Sequence, residues 1–213
     1  MLYVLDLDDT LFLERDYVYS GFIAVDKWLN ENQGVTGFFE RIWELFEEGS
    51  RGHIFDIALK ELGIEDSRLI EQLVWIYREH KPDIKLLQDA KEFIDKIPFQ
   101  NLAIITDGYS NAQWIKIKAL DLEAKIEQII VTDDWGRDYW KPNPKAFITV
   151  QKSLSPEQCI YIADNPIRDF LAPKEVGWLP SIRIRRKGSL HFNIPTPEDY
   201  REVTSFYEII QKI

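Results

Sequence analysis

The amino-acid sequence predicts an α/β fold, a doubly wound parallel sheet with a block of helices inserted near its start. Three observations carry this expectation: short apolar runs that end on polar turns, helical patterns between the later runs, and carboxylates placed where runs stop. The first run opens Tyr3-Val4-Leu5-Asp6-Leu7-Asp8-Asp9-Thr10. It has the pattern of a buried strand, and a period of two sends Asp6 and Asp8 to the same side where it ends. Further runs lie at Asn101 to Thr106, Ile126 to Thr132, Cys159 to Ala163 and Ser181 to Arg185. Helical patterns at Ser110 to Leu120, Pro144 to Leu154 and Asp169 to Val176 separate them, and this alternation specifies parallel pairing. Pro144 suits a first helical turn, where its missing N–H has no carbonyl to serve. Gly177 falls where a C-terminal cap belongs, and Ser205 with Glu208 forms a capping box for a last helix.

The stretch from Glu14 to Pro82 reads differently. Four helices are expected there, about Asp16 to Asn32, Thr36 to Glu48, Gly52 to Leu62 and Asp66 to His80, punctuated by Gly34, Gly37, Gly49 with Ser50, and Gly63. Apolar residues recur at helical spacing in Val18, Phe22, Val25 and Leu29, and again in Leu69, Leu73, Ile76 and Tyr77. The division expected is therefore a core of residues 1–14 and 83–213 with a helical insertion at 15–82.

Two carboxylates as close as Asp6 and Asp8 repel and shift each other's pKa, so the pair is costly unless a cation or a proton-transfer role compensates it. The plain alternative is two solvated acids in the loop after a strand. Other strand ends weigh against that alternative, because open parallel sheets bind ligands at the carboxyl ends of their strands. Thr106-Asp107-Gly108 ends the second run, Lys141-Pro142 follows the third, and Asp164-Asn165-Pro166-Ile167-Arg168-Asp169 follows the fourth.

In that order these segments resemble the four motifs of the haloacid dehalogenase superfamily of phosphatases and related hydrolases. The resemblance covers residues 1–14 and about 83–190, with one departure: Ala163 stands where the fourth motif usually has Gly. It implies a Rossmann-like core with an inserted four-helix cap, and a Mg²⁺-dependent phosphatase acting on a small phosphorylated metabolite such as a sugar phosphate or nucleoside monophosphate. Asp6 would be the nucleophile that becomes an aspartyl phosphate, and Asp8 the general acid and then base. Thr106, with the backbone N–H groups of Asp107 and Gly108, would hold phosphate oxygens. Lys141 would supply positive charge to the nucleophile and the transferring group. Asp6, the backbone carbonyl of Asp8 and Asp164 would ligate Mg²⁺, with Asp169 orienting the metal's waters or Lys141; all-oxygen ligands suit that ion. Dehalogenases and phosphonoacetaldehyde hydrolases of the superfamily typically lack a carboxylate at the position of Asp8. A phosphosugar mutase keeps the whole set and is the alternative, ahead of an inactive binding module.

Simpler roles exist for several of these residues. Thr106 could cap the next turn, Lys141 could be a surface lysine, Asp169 could cap the helix after it, and Arg168 is expected to face solvent. Substrate choice is expected in the insertion. There Arg51 and His53 at a helix junction, and Tyr17 and Tyr19 near its start, are candidates to contact substrate or else ordinary surface or interface residues. Trp28, Phe38, Phe39, Trp43, Phe46, Phe55 and Trp75 are expected to be core.

Thirty-six acids against 26 bases among 213 residues give a net charge of −10, which argues against nucleic acid as a partner. The short basic run Arg183, Arg185, Arg186, Lys187 is expected either to solvate a sheet edge or to concentrate phosphate nearby. Cys159 is alone and sits in a strand pattern, so no internal disulfide forms and a thiol nucleophile is not expected. Met1 leads straight into the first strand and no apolar run approaches membrane-spanning length, so a cytoplasmic protein without membrane attachment is expected. The sequence specifies no oligomeric state.

Overall fold

In the computed structural model, which describes residues 1–211, six parallel strands form one sheet. In chain order the elements are β1 (Leu2–Leu5), α1 (Glu14–Gln33), α2 (Phe38–Glu47), α3 (Ile54–Glu61), α4 (Ser67–Glu79), α5 (Gln88–Lys96), β2 (Leu102–Thr106), α6 (Ser110–Ala119), β3 (Gln128–Val131), α7 (Lys145–Leu154), β4 (Cys159–Ala163), α8 (Leu171–Glu175), β5 (Ile182–Ile184), β6 (Arg201–Val203) and α9 (Tyr207–Ile210). The strand order is β3-β2-β1-β4-β5-β6. Leu5 pairs with Ile104 on one side and Ile162 on the other, so β1 is central and the chain reverses its direction of travel across the sheet beside it. That reversal is where a doubly wound sheet opens a crevice at its carboxyl edge. Asp6 continues the ladder by one bond, Asp6 N–H to Ile162 O at 2.9 Å.

Tyr161, Phe147 and Trp178 pack edge-to-face beside the sheet at 5.1 and 5.3 Å, joined in the same core by Val4, Ile105 and Val150. Each such side chain contributes about 1.5–3 kcal/mol by leaving water. At the start of α9 the expected capping box is shifted: Ser205 Oγ accepts the Tyr207 N–H at 3.1 Å, Glu208 accepts the Thr204 N–H at 2.7 Å, and the N-cap position falls on Phe206. Helix α5 and strand β6 were not among the expected elements. Residues 171–175 form a shorter helix than expected because the turn preceding it is held open by side-chain bonds described below.

The chain divides into two compact units, Met1–Arg15 with the chain from Ile84 onward, and Asp16–Asp83. Within the second, Phe22 meets Trp43, Phe46 and Phe55 at edge-on angles, 5.7 to 6.4 Å between centroids. Gly21 has to be a glycine there, since a Cβ would lie 2.6 Å from the Tyr77 ring. Asp66 caps α4 by accepting the Arg68 and Leu69 N–H groups at 2.9 and 3.2 Å. Trp75 departs from the expected core: it is 60% exposed. No helix among the described residues is long and apolar enough to cross a membrane.

Candidate active site

Three carboxylates and one ammonium meet at the carboxyl edge of β1 and β4. Lys141 Nζ lies 2.9 Å from Asp6 Oδ1 and 2.9 Å from Asp169 Oδ1, and donates to the Tyr161 hydroxyl at 3.0 Å. All four side chains are buried. Asp164 completes the group, with one oxygen each from Asp6, Asp164 and Asp169 lying within 4.8 Å of one another. Burial pushes the Asp6 carboxyl well above its ordinary range, Asp169 and Asp164 add to the shift, and Lys141 opposes it. Asp164 is raised for the same reasons, burial first and then Asp169. Burial acts against the Lys141 ammonium, yet Asp169 and Asp6 outweigh it and hold the group charged. One ammonium against three acids leaves an excess of buried negative charge. Asp169 Oδ1 makes its ion pair without an aligned hydrogen bond. A divalent cation with oxygen ligands fits both facts.

Each of the other expected residues has a definite place. Asp8 is partly exposed and held from α6, by Gln113 Nε2 at 2.7 Å and Lys116 Nζ at 2.7 Å. Strand β1 stops at Leu5, so the spacing of Asp6 and Asp8 follows the turn after it and not a pleat; Asp9 has a left-handed φ of 55°. Thr106 is buried, its hydroxyl making only a long 3.4 Å bond to Asp107 O among the bonds described. Gly108 has a φ of 128°, and a Cβ there would sit 2.5 Å from Gln113 Nε2. Asp107 accepts the Thr132 hydroxyl at 2.6 Å and the Lys141 backbone N–H at 3.0 Å, tying the Lys141-cis-Pro142 turn to the end of β2. Lys141 is therefore not a surface lysine, and Asp169 does not cap α8: its Oδ2 accepts the Asn165 N–H at 3.0 Å. Arg168 is 43% exposed, as expected for a residue turned to solvent, with its guanidinium 3.9 Å from Asp107.

Two residues of the basic run depart from both expected roles, while Lys187 is exposed and Arg185 lies 3.5 Å from Glu202 of β6. Arg183 and Arg186 are buried, Arg183 donating to Asp164 O and Arg186 to Thr10 O and Asp89. In the helical unit, Arg51 donates to the carbonyls of Phe46 and Ser50, both at 2.7 Å, and lies 4.1 Å over the Phe46 ring. His53 is 86% exposed at the N-terminus of α3, beside Asp56. Tyr17 is buried against Tyr77 and His80. Sequence reasoning missed Gln113, Lys116, Tyr161 and His191, which bonds Asp164 at 2.9 Å. The spacing of three between Gln113 and Lys116, one face of α6, was the available signal for that pair. A lone histidine in a polar loop gave none.

A parallel doubly wound sheet with this set of acids at its carboxyl edge defines a Rossmann-like α/β protein with an acidic site. The chain matches the model of haloacid dehalogenase-like hydrolases over residues 3–179 and belongs to that family. It is similar to the glyceraldehyde 3-phosphate phosphatase of Pyrococcus furiosus, 37% identical over 183 residues that cover 81% of this chain and 75% of that protein. The enzyme of the same name from Methanocaldococcus jannaschii is 26% identical over 196 residues, covering 84% and 82%. Among solved structures, that of the Bacillus subtilis HAD-hydrolase YfnB bound to magnesium superposes with a TM-score of 0.65 at 20% identity, covering 99% of this chain and 97% of that one.

Proposed function

We propose that the chain is a Mg²⁺-dependent phosphatase of small phosphorylated metabolites, with triose phosphates at the head of the candidates. The observation that carries this reading is the buried Lys141 shared between Asp6 and Asp169 beside Asp164. Such a set suits phosphoryl transfer, which depends on positioning and charge compensation more than on covalent chemistry by the protein. The similarity to named glyceraldehyde 3-phosphate phosphatases supports the substrate class.

In this mechanism Asp6 attacks phosphorus as the bond to the leaving oxygen breaks, and Asp8 gives that oxygen its proton. Water then attacks the aspartyl phosphate, Asp8 takes the water's proton, and the phosphorus–Asp6 bond breaks to release phosphate. Lys141 keeps Asp6 oriented and neutralises charge on the transferring group, while Thr106 and the N–H groups of Asp107 and Gly108 bind its oxygens. Asp6, Asp164 and Asp169, with the backbone carbonyl of Asp8, are the residues that would hold Mg²⁺. The ion supplies charge neutralisation and orients the phosphoryl group when bound. The helical unit, residues 16–83, is assigned substrate choice.

The test is phosphate release over a panel of triose, hexose and nucleoside phosphates, with isomer formation measured alongside. Release with Mg²⁺, lost on chelation, is expected. Activity that survives complete removal of metal would contradict the ligand assignment, and isomer formation without release would favour a mutase.

A further inference from the structure

His191 lies outside the four motifs, yet its imidazole faces the acid cluster. Its Nδ1 is 2.9 Å from Asp164 Oδ2, and its Nε2 is 3.2 Å from Asn165 Nδ2. The neighbouring bonds fix which nitrogen carries the proton. Asn165 Oδ1 accepts the Ile167 N–H at 3.0 Å, so the amide is oriented with its NH₂ toward His191. Nε2 therefore accepts, the proton sits on Nδ1, and Nδ1–H donates to the carboxylate. Asp9 and Asp164 come close enough to His191 for the three to form a candidate metal cluster. In this arrangement Nδ1–H donates to Asp164 and Nε2 faces the Asn165 amide, so the imidazole acts on the carboxylate.

The loop that carries His191 is anchored on both sides of the cluster. The Leu190 N–H donates to Asp9 Oδ2 at 2.7 Å. Arg183, fully buried, donates from Nε to the Asp164 carbonyl at 3.1 Å and from Nη2 to the His191 carbonyl at 2.8 Å. Its Nη1 reaches the Ile194 carbonyl at 2.6 Å and the Thr196 hydroxyl at 2.7 Å. One planar guanidinium thus ties the backbone of Asp164 to the backbone of His191, which leaves the imidazole little freedom to turn away.

We propose that His191 is a positioning residue for Asp164: by holding Oδ2 it presents the remaining oxygen, Oδ1, to the divalent cation. The inference rests on the reading of Asp164 as a cation ligand. Hydrogen-bonded partners of ligating groups are worth about 10- to 100-fold in metal affinity, because they fix the ligand's orientation before the ion arrives.

The experiment is calorimetric titration of Mg²⁺ into the metal-free, full-length protein, for the wild type and for H191A, H191N and D164N, each checked for folding by circular dichroism. In H191A the Mg²⁺ affinity should fall by about 10- to 100-fold. H191N, whose amide can donate from near the position of Nδ1, should recover most of it. Unchanged affinity in H191A overturns the positioning role while leaving the metal site standing, and equal losses in H191A and H191N overturn the role of the donated hydrogen bond. Unchanged affinity in D164N overturns the metal reading itself and this inference with it. Should H191A fail to fold, H191F, which keeps a packed ring without an N–H, takes its place under the same criteria.

Discussion

At the residue scale, Asp6 and Asp8 separate in their surroundings. Asp6 is buried against Lys141, whereas Asp8 is partly exposed and held by Gln113 and Lys116. The proposed nucleophile is buried and has no substitute, so Asp6→Asn is expected to abolish phosphate release. Asp8→Asn should slow alkyl phosphates by about 10² to 10⁴ and activated aryl phosphates much less, because a good leaving group needs little protonation. Equal losses on the two substrate types, in steady-state rates, would remove Asp8 from the acid role. Gly108 is the second residue whose replacement discriminates. A methyl at φ 128° would strike the side chain that grips Asp8. Gly108→Ala should cost about 1–3 kcal/mol in urea unfolding and also lower activity.

Helices supply the next scale, and the insertion tests whether a suspected contact residue is instead part of the frame. Arg51 donates to the carbonyl of Phe46, in the last turn of α2, and to that of Ser50, in the loop that follows it. Arg51→Ala should therefore cost about 0.5–1.5 kcal/mol of stability, the worth of ordinary hydrogen bonds. Hydrolysis of a small aryl phosphate should stay within a few-fold. A selective loss of kcat/KM on a natural phosphate at unchanged stability would restore Arg51 as a specificity residue. The long elements were legible because their apolar residues repeat: β2, β4 and the helices from Glu14 to Glu79 are close to their expected bounds. What escaped had weaker signals. Helix α5 buries a helical triplet, Ala90, Phe93 and Ile94, within an otherwise polar segment. Strand β6 is three residues long with two exposed, and it pairs only because β5 offers an edge. Among site residues, those in strand-end motifs could be read from the sequence. Gln113, Lys116 and His191 could not be assigned roles without knowing what they face, and charge alone misread Arg183 and Arg186, whose partners are distant carbonyls and Asp89.

For the whole molecule, one buried ion pair ties remote parts of the core unit together. Asp89, near the start of α5, accepts Arg186 Nη1 at 3.0 Å and the Phe206 N–H at 2.7 Å. Burial pushes the Asp89 carboxyl upward, but Arg186 and the Phe206 N–H outweigh it and hold the group below its ordinary range. A folded value below the unfolded one gives stability that is present above the unfolded pKa and lost as pH falls through the folded pKa. Asp89→Ala should cost about 3–5 kcal/mol near neutral pH by leaving Arg186 unpaired. The gap from wild type, followed by urea midpoints, should close below about pH 4, where unfolded aspartates protonate. A gap that stays constant into acid would mean that charge is not its origin. The central position of β1 carries a kinetic consequence. Its ladder partners, Ile104 and Ile162, are made long after it, while α1 to α4 are made in between and pack with near neighbours in the chain. Closing such long loops is slow, whereas local helix contacts form early. In pulse-labelled hydrogen exchange during refolding, the amides of α1 to α4 should be protected before those of Val4 and Leu5. The strand that leads into Asp6, the proposed nucleophile, would then be among the last to settle, and the newly made chain would acquire the proposed chemistry only when the sheet closes around it.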